Sequence, residues 1–127
     1  MPPADKVGTP WPVSTGILPE AMAQTLVVPW NDVDALERAI AQNKNELAAV
    51  ITEPILHNIG VVMPKEGFLQ TIRELTERHG IVFILDEVIT AFRHSLGGAQ
   101  KLFGVKPDLT TFAKAIVNRY PIGCLTG

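Results

Sequence analysis

Residues 81–88, Ile81-Val82-Phe83-Ile84-Leu85-Asp86-Glu87-Val88, decide the fold, because five apolar residues in a row deliver a carboxylate to their own end. A run that does not alternate with polar residues predicts a strand covered on both faces, as in a parallel sheet. A second run, Leu109-Thr110-Thr111-Phe112-Ala113, delivers Lys114 in the same chain direction, and a third, over 47–52, ends at Glu53-Pro54.

Between these runs the period changes. Residues 67–78 carry Phe68, Leu69, Ile72 and Leu75 at helical spacing, and Gly80, just after His79, marks the stop. A short helix is expected over 99–103. Upstream, 32–42 places Val33, Leu36 and Ile40 on one face with Asn31 as the expected cap, and 25–29 reads as a short strand closed by Pro29. Residues 1–24 hold Pro2, Pro3, Pro10, Pro12 and Pro19 and read as an irregular arm, leaving 25–127 as the folded part.

The order βαβαβ predicts an α/β fold, a three-layer, mainly parallel sheet with helices on both faces. Right-handed crossovers then place Glu53, Asp86 and Lys114 on one sheet edge. Open α/β sheets bind ligands at that edge, outside the carboxyl ends of the strands. Taken singly, these residues have plainer readings. A strand-end Asp commonly caps or turns, a Lys there is commonly solvated, and Glu before Pro is commonly a turn. The alignment of three strand ends is what points to a site. An acid and an amine together suit a cofactor that needs a covalent amine and a charged partner for a ring nitrogen.

Composition narrows the classes. With 127 residues, 46% of them hydrophobic, ten Gly and ten Pro, the chain reads as about one globular domain. A net charge of −2 without a basic stripe speaks against nucleic acid or an anionic membrane as partner. The single Cys124 cannot form an internal disulfide, which suits a reducing, cytoplasmic compartment. No apolar run approaches a membrane span, and Met1-Pro2-Pro3-Ala4-Asp5-Lys6 does not read as a signal peptide. His57 and His79 read as structural or surface residues, and no metal site is expected. Ser14-Thr15-Gly16 reads as a surface loop, since no strand precedes it. A nucleotide-binding Rossmann unit is disfavoured because no Gly-x-Gly-x-x-Gly follows any strand.

Four ordered blocks carry a resemblance. Thr52-Glu53-Pro54, Gly60-Val61-Val62-Met63-Pro64-Lys65-Glu66-Gly67-Phe68-Leu69, Leu85-Asp86-Glu87-Val88-Ile89-Thr90-Ala91-Phe92-Arg93 and Pro107-Asp108-Leu109-Thr110-Thr111-Phe112-Ala113-Lys114 together resemble the class III pyridoxal-phosphate aminotransferases. Leu96-Gly97-Gly98-Ala99-Gln100 and Asp108-Leu109-Thr110-Thr111 are most similar to the glutamate-1-semialdehyde aminomutase branch of that class. Asn58 and Ile89, where related ω-amino-acid transaminases commonly carry Glu and Gln, point to the same branch.

The resemblance implies a type I transferase large domain and pyridoxal 5′-phosphate as cofactor. Asp86 matches the aspartate that pairs with the pyridine nitrogen, and Lys114 the lysine that forms the Schiff base and later moves a proton. Val88 matches the apolar residue against one face of the ring, and Glu53 would line the cofactor pocket. The implied substrate is an amino acid or an amino-aldehyde or keto compound, handled by a homodimer in the full-length parent. The upstream phosphate loop and the C-terminal domain of the family have no counterpart here, so the chain reads as a middle fragment of the large domain. Such a fragment is expected to bind the cofactor weakly and to turn over nothing. Val117-Asn118-Arg119 replaces the family's glycine-rich turn, which leaves a degenerate, non-catalytic α/β module as the alternative.

Overall fold

β2 (Val82–Asp86) lies between two parallel neighbours in a four-stranded sheet. In this computed structural model residues 14–117 and 120–127 are described. β1 (Ala49–Thr52) pairs with β2 from Ala49↔Val82 to Thr52↔Leu85, and β3 (Leu109–Phe112) pairs with it from Ile84↔Leu109 to Asp86↔Thr111. A fourth strand, β4 (Cys124–Thr126), runs antiparallel beside β3 and gives the order β1-β2-β3-β4. The mainly parallel α/β sheet expected from the apolar runs is present. β4 was not foreseen, being three residues long and exposed throughout, so it carries no apolar signal.

The chain divides into two units, residues 1–42 and 43–127, and the sheet belongs to the second. In that unit β1 leads to helix α3 (Phe68–His79), which buries Phe68, Leu69, Ile72 and Leu75 and packs on β1 and β2. Thr76 is also buried, and its hydroxyl donates to the carbonyls of Ile72 and Arg73, so its polar atom is satisfied within the helix. The helix stops at Gly80, whose φ of 67° is left-handed and whose N–H turns back to the carbonyls of Glu77 and Thr76.

Alternation along β2 sorts its faces. Phe83 and Leu85 are fully buried on the α3 side, where burial stabilises by roughly 1.5–3 kcal/mol per side chain. The Arg73 guanidinium lies 5.9 Å from the centre of the Phe83 ring. The opposite face carries Val82 at 37% and Ile51 at 62% exposure. A short helix α4 (Gly98–Phe103) joins β2 to β3, and Gln70 of α3 donates its side-chain N–H to the carbonyl of Phe103.

The first unit departs from expectation in three places. Residues 25–29 are not a strand; Leu26 and Val27 are about half exposed, and a strand requires a neighbour to take its backbone groups. Helix α2 (Val33–Asn43) buries Leu36 and Ile40 as expected, but its cap is Asp32, whose Oδ1 accepts the Ala35 N–H at 2.8 Å. Asn31, the expected cap, sits one residue too early, with φ at 64°. The expected irregular arm lies outside the described residues up to position 13, and beyond it contains a short helix, α1 (Pro19–Ala23), in which a proline at the start is favourable because its missing N–H would be unpaired there anyway.

Candidate functional site

Three parallel strands end on one edge, and the register brings the expected residues to it. Thr52↔Leu85 and Asp86↔Thr111 are the last paired rows of β1–β2 and β2–β3. Glu53 follows the end of β1, Asp86 is the last residue of β2, and Lys114 stands two residues beyond the end of β3.

Asp86 is half-buried and fixed. Its Oδ1 accepts the Val88 N–H at 2.9 Å and the Thr111 hydroxyl at 3.0 Å. Among the described residues its Oδ2 accepts nothing. Lys114 is exposed and opens a one-turn 3₁₀ helix, Lys114–Ile116. Its φ of 43° lies in the left-handed region, which a side chain with a Cβ enters at a cost of about 1 kcal/mol or more. Among the described residues one buried carboxylate oxygen of Glu53, Oε2, has no hydrogen-bond partner. Buried carboxylate oxygens are normally paired, so this orphan marks a place where a donor is missing. Val88 is half-buried, two residues past Asp86.

Glu87 is the residue that sequence reasoning missed. It is fully buried, and its carboxylate accepts from the Ala99 N–H (2.6 Å), the Gln100 N–H (3.0 Å) and the Thr90 hydroxyl (3.0 Å). Its own N–H donates to the carbonyl of Thr111. Glu87 therefore ties the turn after Asp86 to the first residues of α4 and to β3. Gly98 makes room for this: a Cβ there would lie 2.5–2.8 Å from the Glu87 carboxylate atoms, and its φ is 68°. The adjacent Gly97-Gly98 pair was the available signal.

The opposite end of the strands is closed by Asp108. Its Oδ1 meets Arg73 Nη1 at 2.9 Å, and its Oδ2 accepts the Phe83 N–H at 2.7 Å. The bonded Arg73 guanidinium first, and the Phe83 N–H second, hold the Asp108 carboxyl below the usual carboxylate range.

Other expectations can be placed. His57 and His94 stack with ring centres 6.4 Å apart, and no group of three potential metal ligands occurs among the described residues. Ser14, Thr15 and Gly16 are exposed in a turn. Of Val117-Asn118-Arg119, the last two lie outside the described residues. A cleft of about 550 Å³ between Phe92, Leu96, Lys101, Val105 and Phe112 is not lined by Asp86, Glu53 or Lys114. Among the described residues no helix is long and apolar enough to cross a membrane.

An α/β sheet whose carboxyl edge carries an aspartate on one strand and a lysine after the next can now be set beside known proteins. The sequence profile described as "Aminotransferase class-III" matches residues 7–127, and the chain belongs to that family. Among curated relatives, the glutamate-1-semialdehyde 2,1-aminomutase of Methanococcus maripaludis is 48% identical and that of Caldivirga maquilingensis 52% identical, each over 116 residues. These alignments cover 91% of this chain and 27% of each relative, so the chain spans about a quarter of their length. Among solved structures, an omega-transaminase from Sphaerobacter thermophilus superposes with a TM-score of 0.85 at 40% identity, covering 91% of this chain and 26% of that one. A transaminase solved with PLP bound gives 0.82 at 32% identity over 90% of this chain and 27% of its own.

Proposed function

We propose that this chain carries the cofactor-holding edge of a pyridoxal-phosphate enzyme, and that the whole protein transfers an amino group, or moves it within one molecule, on an amino-acid or amino-aldehyde or keto substrate. The observation that carries this reading is the placement of Asp86 and Lys114 at the carboxyl ends of adjacent parallel strands, with one oxygen of Asp86 accepting nothing among the described residues. The residues fit the cofactor: an acceptor for a ring N–H, an exposed amine one strand away, and the orphan Glu53 Oε2 at the same edge.

Pyridoxal phosphate, when bound, supplies an aldehyde that condenses with amines and a ring that draws electrons from a substrate's α-carbon. The protein's part is to hold and orient. Asp86 would keep a proton on the ring nitrogen by presenting a negative oxygen to it. Lys114 would supply Nζ as the covalent tether and, once displaced by the substrate's amine, carry a proton. Val88 would pack against the ring and Glu53 line the pocket. The names of the curated relatives, with Asn58 and Ile89, favour an aminomutase over an ω-amino-acid transaminase. A homodimer in the cytoplasm is the assembly and compartment that the class resemblance supports for the whole protein.

The test is covalent capture. The chain is incubated with pyridoxal phosphate, reduced with borohydride and mapped by peptide mass. The expected label falls on Lys114 and is lost in Lys114→Ala, while transamination by this chain alone stays undetectable. A label spread evenly over Lys44, Lys65, Lys101 and Lys106, or none, overturns the reading and favours the non-catalytic module.

A further inference from the structure

Asp86 is held by a second strand as well as by its own turn. Its Oδ1 takes the Val88 N–H from the following turn and the Thr111 hydroxyl from β3, directly opposite in the register. Two donors on one oxygen fix the plane of the carboxyl group and leave the other oxygen, Oδ2, as the open acceptor. The Val88 N–H alone, two residues away on the same turn, cannot do this, since the side chain could still swing about χ1 and χ2. The hydroxyl comes from the strand that also leads to Lys114, so it ties the acid and the amine to one frame.

We propose that Thr111 is a positioning residue for the cofactor's ring nitrogen: its hydroxyl holds Asp86 Oδ1 so that Oδ2 is the oxygen presented at the sheet edge. This rests on the reading of Asp86 as the ring-nitrogen partner, and it adds a residue to which the resemblance assigned no role. Valine nearly matches threonine in shape but has no donor, whereas serine keeps the donor, so the two substitutions separate the hydrogen bond from packing.

The experiment uses the 127-residue chain as wild type, Thr111→Val, Thr111→Ser and Asp86→Asn, with two readouts. Without cofactor, three-bond N–Cγ and C′–Cγ couplings report the χ1 of Asp86. A single rotamer is expected in wild type and Thr111→Ser, and averaged couplings in Thr111→Val. With pyridoxal phosphate labelled with ¹⁵N in the ring, the ring-nitrogen shift and the affinity report the partner. Thr111→Val is expected to move the shift toward the neutral pyridine value and to weaken binding about tenfold, the scale of one hydrogen bond to a charged group, with Thr111→Ser close to wild type. Wild-type couplings and ring shift in Thr111→Val, with Asp86→Asn altered, overturn the role of Thr111 and leave that of Asp86 standing. A ring shift unchanged in Asp86→Asn, or no binding by wild type, overturns the reading of Asp86 and this inference with it.

Discussion

The two ends of the parallel strands are built to different purposes. At the amino end of β3, both oxygens of Asp108 are engaged, one by Arg73 of α3 and one by the backbone of β2. At the carboxyl end, among the described residues, one Asp86 oxygen accepts nothing, a buried Glu53 oxygen has no partner, and Lys114 is exposed on a left-handed backbone. Unmet polar capacity and backbone strain lower stability, and they cluster at functional sites more than elsewhere. The engaged end ties β2, β3 and α3 together, and the open end is where the proposed cofactor would be met.

The contrast is sharpest where the open end borders its own support. Gly98→Ala sets a Cβ against the Glu87 carboxylate in a left-handed conformation, and its effect is the largest expected here. Left-handed strain of roughly 1–2 kcal/mol and overpacking of about 1–3 kcal/mol combine to a loss of ~3 kcal/mol, read from urea unfolding. An unchanged midpoint would mean that the Glu87 anchor is loose. Substitution at Lys114 should run the other way. Lys114→Gly relieves the strain at φ 43° and is expected to raise stability by about 1 kcal/mol relative to Lys114→Ala, while abolishing covalent capture. A destabilised glycine variant would remove the case for strain at the open end.

The smallest effect belongs to the engaged end. Because the Asp108 carboxyl is held below its ordinary range when folded, its contribution is fully present above about pH 4, the unfolded value, and fades as pH falls through the lower folded value. Asp108→Asn should therefore narrow the stability difference between pH 6 and pH 3, by under about 1 kcal/mol for so exposed a pair. An identical pH dependence in the variant would show that this end is not held by charge.

The sheet edge was legible because each of its residues follows a short run with no charged residue, a signal contained within five or six consecutive positions. Asp86 and Lys114 could be read that way, and their strands lie side by side and parallel. The supports were not legible. Glu87 binds backbone N–H groups twelve and thirteen residues on, and backbone donors leave no mark in a sequence. Thr111 and Asp108 find partners 25 residues away, and threonines in a strand are ordinary sheet composition. The strand expected at 25–29 failed for the complementary reason: local apolar composition supplies a strand-like run but not a neighbour.

Glu87 and Gly98 have a consequence for descent. The carboxylate fills the space into which any Cβ at 98 would grow, and a shorter acid at 87 would not span the N–H groups of both Ala99 and Gln100. Neither position can drift while the other stays as it is. In any lineage that keeps this turn, the two are inherited as a single character, written eleven residues apart.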